Sequence, residues 1–411
     1  MITDNFADLS SYYGLVKCTI VPHRGLLCPV IPATINGKLY FSLCRTCAGE
    51  KKKGPCSHSE QQRALSGTWC TPELTKAVDL GYKVSSTNAG SEKQLLYQSM
   101  LWFQITQIVE VWHFPQTTTG LFLEYINKFL KIKYEASGWP KENMTQQEKD
   151  AYIQEIWDRE GIRLDPSAIC KNPGLRQVAK LCLNSLWGRL GMKEDRSHTE
   201  YVREPARFFE LLCSGSYKVT SFDEFTDDVM AVEYKVEEGF REVNTSTNVV
   251  IAAFTTCLAR LHLFQYMEKL GKQLLYFDTD SIVFSHRPGQ YMPPTGNFLG
   301  DLESELEAGD FIVSFGSLGP KCYGYVTKKG KTCIKIKGHS INGETSGQLN
   351  FETLMRLLSD DSVELIKYSN VLKRNKKTLS IFQTDLTKAW RVTYEKRYIC
   401  NDAFETLPYG Y

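Results

Sequence analysis

The chain has 411 residues, of which 42% are hydrophobic and 12% aromatic, enough for a sizeable core in about two to three domains. Its formal net charge of +2 excludes a generally basic surface but leaves room for local basic patches. Thirteen scattered cysteines, no signal peptide and no long apolar run able to span a membrane predict an intracellular protein of a reducing compartment, without a membrane partner.

The first part of the chain predicts short strands followed by helices. The apolar runs 14–21 and 28–41 favour β-structure, and Asn36-Gly37 within the second is typical of a hairpin turn. The run 108–114 has the composition of a buried strand. Caps and apolar periodicity predict helices at 71–81, 119–137 and 145–161.

A cysteine- and histidine-rich loop lies among these elements, at residues 44–58. Cys44 and Cys47 have the spacing of a zinc knuckle, and Cys56 with His58 adds a second, less usual pair. Four nitrogen and sulfur ligands in fifteen residues suit a tetrahedral structural zinc. The alternative is a loop with free cysteines.

The stretch 172–191 predicts a helix that Asn172 caps and in which Pro173 occupies the first turn. Arg176, Lys180 and Asn184 are spaced by four residues and therefore share one stripe of the helix. Such a stripe suits a triphosphate with its base or sugar, although a solvated basic face is the alternative. The opposite, apolar face is expected to comprise Leu175, Val178, Ala179, Leu183 and Leu186.

A polar, acidic region at 196–245 is followed by a helix predicted at 249–270 and by two short apolar runs around Asp278-Thr279-Asp280. On extended backbone, residues two apart face the same way, so Asp278 and Asp280 lie together. Their repulsion requires a cation, and Mg²⁺ takes carboxylate and phosphate oxygens together. The alternative is an ordinary hairpin whose turn carries two aspartates.

Together these stretches resemble the family B DNA polymerases. KLCLNSLWG at 180–188 is similar to the fingers motif, with Trp187 in place of tyrosine, and YFDTDS at 276–281 is similar to the palm motif. GPKCYGY at 319–325 and KIKG at 335–338 resemble the segment that holds the primer end. Three features resemble the protein-primed subgroup, especially the polymerases of Polinton/Maverick mobile elements: Cys-Arg-Thr-Cys at 44–47, EVWHFP at 110–115 and TLPYGY at 406–411.

The resemblance implies an α+β fold, the right-hand polymerase fold with palm, fingers and thumb, truncated at its N-terminus. It divides the chain into palm strands at 1–40, an insertion at 41–168, fingers at 169–195, a second insertion or β-hairpin at 196–245, the palm with its Asp-Thr-Asp motif at 246–318, and a primer-gripping segment with the thumb at 319–411.

The same resemblance implies a set of site residues and partners. Asp278 and Asp280 would hold two Mg²⁺ ions, and Arg176, Lys180 and Asn184 would bind the nucleotide. The primer strand would be held by Lys321, Tyr323 and Lys337. The expected partners are primer–template DNA, deoxynucleoside triphosphates and a terminal priming protein, with a nuclear location if the chain comes from an integrated mobile element.

One departure concerns the family's first palm motif, Asp-x-x-Ser-Leu-Tyr-Pro, which supplies a further metal-bridging aspartate. It is expected just upstream of Asp4-Asn5-Phe6, before Met1, and the exonuclease domain is expected further upstream. The chain alone is therefore expected to fold poorly and to show no primer extension. The alternative function is an inactive polymerase fragment that binds DNA or zinc. If the chain is active, Asp301 or Glu303 is expected to replace the missing carboxylate.

Residues 84–104 interrupt the resemblance. In the resembling family, a Gly-Tyr-x helix end runs directly into the segment that corresponds to Ile105 onwards. The ends of the interruption can be encoded as splice signals, Val84-Ser85 as a donor and Phe103-Gln104 as an acceptor. The segment is therefore interpreted as a translated intron that forms a poorly packed surface excursion, with a genuine lineage insertion as the alternative.

Overall fold

A computed structural model describes residues 1–84, 107–193, 195–241, 246–375, 378, 380–400 and 405–411. Its first sheet is built around β1 (Gly14–Val21), in which Val16, Cys18 and Ile20 alternate into the core. One edge of β1 pairs antiparallel with β4 (Leu65–Cys70). The other edge pairs with β5 (Lys83–Val84) and β6 (Gln107–His113).

The elements next to β1 follow the local sequence signals. The hairpin of β2 (Ala33–Ile35) and β3 (Lys38–Tyr40) turns at Asn36 and Gly37, which both have positive φ and confirm the predicted turn. The predicted helix at 71–81 is also confirmed, as α3. The three helices of this region are α1 (Arg45–Glu50), α2 (Glu60–Arg63) and α3 (Thr71–Asp79).

Three helices form the middle of the chain around a separate small core, which contains Leu130, Ile156 and Ile169. The second of them begins at the predicted capping box, where Glu148 N donates to Thr145 Oγ1 and the Glu148 carboxylate accepts from Thr145 N. The helices are α4 (Leu123–Glu135), α5 (Gln146–Glu160) and α6 (Pro173–Leu190).

The polar region after α6 folds as a three-stranded antiparallel sheet with one helix packed on it. The strand order is β7–β9–β8, and the long hairpin of β8 and β9 extends from this unit. The elements are β7 (His198–Val202), α7 (Pro205–Cys213), β8 (Tyr217–Thr226) and β9 (Val229–Val236).

The long helix α8 (Val249–Leu270) begins at the Asn248 cap and ends at Gly271. Contrary to the sequence expectation, the stretch Val249–Gln273 is long and apolar enough to cross a membrane, with a mean hydropathy of 1.3 and 28% of it buried. Core helices of soluble proteins satisfy the same criteria of length and composition, so this one helix is weak support for a membrane span. It leads directly into the hairpin of β10 (Leu274–Asp278) and β11 (Ser281–Phe284).

The last part of the chain forms a three-stranded sheet, a helix and a long hairpin around one core, in which Leu318, Leu354 and Trp390 are buried. The elements are β12 (Ile312–Gly319), β13 (Cys322–Thr327), β14 (Thr332–Ile336), α9 (Phe351–Asp360), β15 (Glu364–Arg374) and β16 (Ile381–Trp390).

The final hairpin, β17 (Arg397–Ile399) with β18 (Thr406–Pro408), does not belong to that core. Its residues Tyr398 and Tyr409 are buried in the core of the first sheet, together with β1. The end of the segment expected to be the thumb therefore packs back on the beginning of the chain.

The segment interpreted as a translated intron falls almost entirely outside the described residues. The register on either side of it is nevertheless informative. Val84 pairs with Ile20 of β1, and Gln107 pairs with the adjacent Thr19. The strands β5 and β6 therefore occupy consecutive positions along one edge of β1, as a single strand would.

We predict that a variant lacking residues 85–106 folds at least as stably as the full chain. The deletion joins Val84 to Gln107, which the ladder already places side by side. Closing a 22-residue connection costs up to about 2–3 kcal/mol of chain entropy, and its removal recovers part of that. Calorimetric unfolding measures the difference.

A longer deletion, of residues 83–108, also removes paired ladder residues and should lower the unfolding temperature. If the shorter deletion unfolds at a lower temperature than the full chain, the segment contributes to the fold and is not dispensable. Transcript reads that join Lys83 to Ile105 would independently support the interpretation of residues 84–104 as a translated intron.

Candidate active site

The turn between β10 and β11 confirms two short strands joined by a tight turn. Asp278 ends β10 and pairs with Ser281, the first residue of β11. Thr279 has a φ of 53°, in the left-handed region, and Asp280 N donates to the Asp278 carbonyl oxygen at 2.6 Å. This backbone conformation keeps both aspartates at the tip of the hairpin.

The tip of the hairpin forms one wall of an open cavity of about 300 Å³. Both aspartates predicted to bind metal line this cavity, and so do two of the three residues predicted to hold the primer. The lining residues are Asp278, Thr279, Asp280, Ser281, Glu305, Lys321, Tyr323 and Lys335.

An ion pair crosses the cavity. The Nζ atom of Lys321 lies 2.7 Å from Asp278 Oδ2 and 2.9 Å from Asp278 Oδ1, and Thr279 Oγ1 also donates to Asp278 Oδ1, at 3.0 Å. The side chain of Lys321 remains more than half exposed, so water screens this pair. The lysine thus neutralises one of the two neighbouring aspartates while leaving room for a ligand to displace it.

An aromatic wall positions the two lysines of the cavity. Tyr276 Oη accepts a hydrogen bond from Lys321 N at 2.9 Å, and the Tyr276 and Tyr323 rings lie 4.8 Å apart. Burial raises the pKa of Tyr276, which keeps this acceptor a neutral phenol. The hydrogen bond to Tyr323 raises the pKa of Lys335, so Lys335 remains a cation.

Lys337, the third residue predicted to hold the primer, does not line the cavity. Its backbone N–H donates to the Lys321 carbonyl oxygen at 2.9 Å, so its backbone supports the segment that presents Lys321. Lys335 contributes the second cation of the cavity instead, since it faces Tyr323 across the β13–β14 ladder. The sequence motif KIKG contained both lysines, and strand register decides which one lines the cavity.

A third carboxylate, Glu305, lines the cavity and was missed by sequence reasoning. Asp301, one of the two alternatives expected there, instead accepts from Phe298 N at 3.1 Å and lies 4.0 Å from Arg159. Glu303, the other alternative, is also absent from the cavity wall. Three acidic residues at alternate positions, 301, 303 and 305, look equivalent in sequence, so only the fold selects among them.

The predicted nucleotide-binding stripe lies exposed on α6, and none of its three residues lines the cavity. Arg176 Nε donates to Ser137 Oγ at 3.1 Å, which holds the guanidinium against the end of α4. Burial is the largest cause that lowers the pKa of Lys133, Arg176 and Lys180 lower it further, and Glu303 and Glu160 act in the opposite direction. The three cations therefore lie near one another, with two carboxylates beside them.

The apolar face expected on α6 is only partly correct. Ala179 is buried and Leu183 packs against the core of the helical region, but Leu175 and Val178 are exposed. The helix contacts its neighbours mainly along α4, where Tyr125 Oη donates to the Cys182 carbonyl oxygen at 3.1 Å. Several apolar residues of the helix thus remain open to solvent beside the polar stripe.

The four residues predicted to bind zinc lie together. His58 Nδ1 is 3.5 Å from Cys44 Sγ, 3.2 Å from Cys47 Sγ and 3.6 Å from Cys56 Sγ. All four ligand atoms lie within 4.8 Å of one another, so the cluster is able to hold a metal ion.

A second group, Cys70, Glu73 and Cys257, also brings three ligand atoms together. The Glu73 carboxylate already accepts from Cys70 N at 3.0 Å and forms an ion pair with Arg260. Because the guanidinium of Arg260 supplies the positive charge there, we assign no metal ion to this group.

No protein-family model matches the chain. The chain is 25% identical over 214 residues to a probable DNA polymerase of Neurospora intermedia and 27% identical over 205 residues to a DNA polymerase of Kluyveromyces lactis. These alignments cover 51% and 46% of this chain but 20% and 19% of the relatives, so the chain matches about a fifth of the length of these curated relatives.

Similarity to solved structures extends over nearly the whole chain. Phi29 DNA polymerase in an orthorhombic crystal form matches 95% of the chain with a TM-score of 0.52 and 14% sequence identity. Phi29 DNA polymerase complexed with primer-template DNA matches 94% of it, with a TM-score of 0.49 and 15% identity. The chain has an α+β polymerase fold. It corresponds to 53% and 52% of those two chains. The match to the orthorhombic crystal form confirms the α+β polymerase fold expected from the sequence.

We predict that Lys321→Met strengthens divalent-cation binding at the cavity by about 2–5-fold, the equivalent of a partly exposed ion pair. The lysine both occupies the Asp278 carboxylate and repels an incoming cation. Titration with Mn²⁺, followed by electron paramagnetic resonance, measures the affinity.

Lys331→Met is the matched control, because Lys331 is exposed and lies outside the cavity wall. Weaker Mn²⁺ binding by Lys321→Met than by the control would show that Lys321 assists the metal site and does not compete with it.

Proposed function

We propose that the chain forms the polymerising part of a DNA-directed DNA polymerase of family B, of the protein-primed type. The observation that carries this proposal is the single cavity that brings together Asp278, Asp280 and Glu305 with Lys321 and Tyr323. The substrates would be primer–template DNA and deoxynucleoside triphosphates, and a terminal protein would supply the first primer hydroxyl.

The reaction is nucleotidyl transfer. The primer 3′-oxygen forms a bond to the α-phosphorus of the nucleotide, the bond from that phosphorus to the bridging oxygen breaks, and pyrophosphate leaves while the hydroxyl proton passes to solvent. The cavity offers carboxylate oxygens, the hard ligands that Mg²⁺ prefers. Bound Mg²⁺ would activate the hydroxyl and stabilise the leaving oxygens.

The residues of the cavity would bind the metal ions and position the primer strand. Asp278 and Asp280 would hold the metal ions. Lys321, once released from Asp278, would contact a phosphate of the primer strand, and the Tyr323 ring would support the strand end. Both contacts are independent of base sequence, as a polymerase requires.

The electropositive cluster of Lys133, Arg176 and Lys180 supports the nucleotide part of the proposal. Burial and, after it, repulsion by Arg176 and Lys180 lower the pKa of Lys133, while Glu303 and Glu160 act in the opposite direction. A triphosphate would relieve that repulsion and draw α6 towards the cavity, with Asn184 one turn further along to contact the base or sugar. Fingers closure of this kind brings together two sites that are separate in this structure.

The alternative is a fragment that binds DNA without catalysis. Both functions predict DNA binding through Lys321 and Lys335, but only a polymerase couples it to Mg²⁺-dependent extension of the primer. The two tests below therefore measure DNA affinity and extension in parallel.

We predict that Asp280→Asn lowers the rate of primer extension by at least ~10²-fold, because it removes an anionic oxygen that holds metal at the developing charge. The measurement is incorporation into a primed template by the gene product that carries these residues, with Mg²⁺. Asp227→Asn, an exposed change at the β8–β9 turn, is the control. Equal extension by Asp280→Asn and the control would refute the assignment, and DNA binding with no extension by the unaltered protein would favour the alternative.

We predict that Lys180→Ala raises the apparent KM for nucleotide or lowers kcat, by up to ~10²-fold if it loses a transition-state contact. DNA affinity should change little, because the stripe does not line the cavity. Lys128→Ala, an exposed lysine of α4, serves as the control in steady-state kinetics. If DNA binding weakens while nucleotide kinetics are unchanged, the stripe contacts DNA.

A further inference from the structure

We infer that Cys44, Cys47, Cys56 and His58 bind one structural Zn²⁺, and that this ion holds residues 395–400 and 405–411 against the first sheet. The inference concerns a site outside the polymerase cavity and does not depend on the proposed function.

The distances from His58 to the three cysteine sulfurs match those of a tetrahedral zinc site. With bonds of about 2.3 Å to sulfur and about 2.0 Å to nitrogen, the sulfur–nitrogen edges of the tetrahedron are about 3.5 Å long. The three observed distances from the cysteine Sγ atoms to His58 Nδ1 are 3.5, 3.2 and 3.6 Å. A fully occupied set of three thiolates and one imidazole leaves no open position, which is typical of a structural site.

The loop that carries the ligands is held in place by polar contacts. Cys47 N donates to Cys44 Sγ at 3.3 Å, an N–H···S contact that favours the thiolate. From the other side, Arg24 donates to the carbonyl oxygens of Cys56 and His58, at 2.6 and 2.9 Å. These contacts fix the backbone of three ligands and so preorganise the site.

A bound metal ion would also stabilise a loop that has no regular secondary structure and few apolar contacts. Residues 51–59, between α1 and α2, have no regular secondary structure and contribute only Cys56 to the margin of the core. Cys56 and His58 are only partly buried, and little apolar contact holds them in place. A zinc ion that joins them to the buried Cys44 and Cys47 provides that stabilisation.

The C-terminal hairpin packs directly on the residues that the ion would hold. Leu43 N, beside Cys44, donates to the Tyr409 carbonyl oxygen at 2.8 Å. Tyr409 is 3% exposed and shares its core with Cys44 and Cys47. Arg397, at the base of the hairpin, donates to the Leu27 carbonyl oxygen at 3.0 Å. Movement of Cys44 would therefore displace the surface on which this hairpin packs.

Gly410 shows how closely the two segments approach. Its φ is 92°, and a Cβ atom there would lie 2.4 Å from Cys44 Cβ and 2.6 Å from Cys44 N. A side chain at position 410 thus pushes the hairpin away from the metal loop without altering any ligand. A substitution at position 410 therefore tests the docking of the hairpin while all four metal ligands are retained.

The first test measures metal in the full chain, by elemental analysis and by replacement with Co²⁺. The expected result is about one zinc per chain, and a Co²⁺ spectrum of tetrahedral thiolate coordination. Cys44→Ser with Cys47→Ser should lose the zinc. Cys170→Ser with Cys213→Ser, which alters two exposed cysteines, should keep it.

Zinc that persists in the Cys44/Cys47 double variant would overturn the site, as would unaltered protein that binds neither zinc nor Co²⁺. Because the Co²⁺ titration uses the unaltered chain, the site remains testable even if the double variant fails to fold.

The second test measures hydrogen exchange of the backbone amides at 397–399, 405–411 and Leu43. Removal of zinc by a chelator should accelerate exchange there by at least ~10-fold, while the amides of α9 remain protected. Gly410→Ala should accelerate exchange at 405–411 and retain zinc, whereas Gly343→Ala, which meets no neighbouring atom, should change neither. Unchanged exchange at 405–411 after zinc removal would overturn the docking role.

Discussion

The structure depends first on the need to balance charge at one hairpin tip. Asp278 and Asp280 are held together by a two-strand ladder and a left-handed Thr279, so their repulsion is built into the backbone. Lys321 extends from another sheet and forms an ion pair with Asp278. This ion pair balances the charge of Asp278 and leaves the cavity accessible to a ligand. An exposed ion pair is weak enough for a metal ion or a phosphate to displace it.

The cavity at the hairpin tip and the stripe on α6 differ in the charge of the ligand that each would bind. The cavity at the hairpin tip carries three carboxylates and two lysines and therefore calls for divalent cations. The stripe on α6 groups Arg176 and Lys180 beside Lys133, whose pKa is lowered first by burial and then by these two cations, and would therefore suit an anion. A metal-bound triphosphate would satisfy both requirements at once, which is the physical basis of the proposed nucleotidyl transfer.

The first sheet organises the chain in a different way, through contacts between its beginning and its end. Leu43 and Tyr409 are joined by a backbone hydrogen bond, and Leu27 accepts from Arg397 across 370 positions. Contacts this distant in sequence carry a large chain-entropy cost and need strong local anchors. The cysteine and histidine cluster lies at this junction, where the proposed zinc ion would supply cross-links that the loop does not make through apolar side chains.

The sequence by itself determined the local elements. Asn36-Gly37, the Thr145 capping box, Asn172 and the Asp278-Thr279-Asp280 turn all act over a few residues, so propensity and periodicity predicted them, while the resemblance of the motifs to a known family predicted the α+β class. Only the tertiary structure decided that Glu305, and neither Asp301 nor Glu303, lines the cavity, that Lys335 and not Lys337 lines it, and that residues 397–399 and 405–411 return to the first core. The reason is that these choices depend on strand register and on long-range packing, and residues that look equivalent along the chain are distinguished only when a neighbouring element covers one of them.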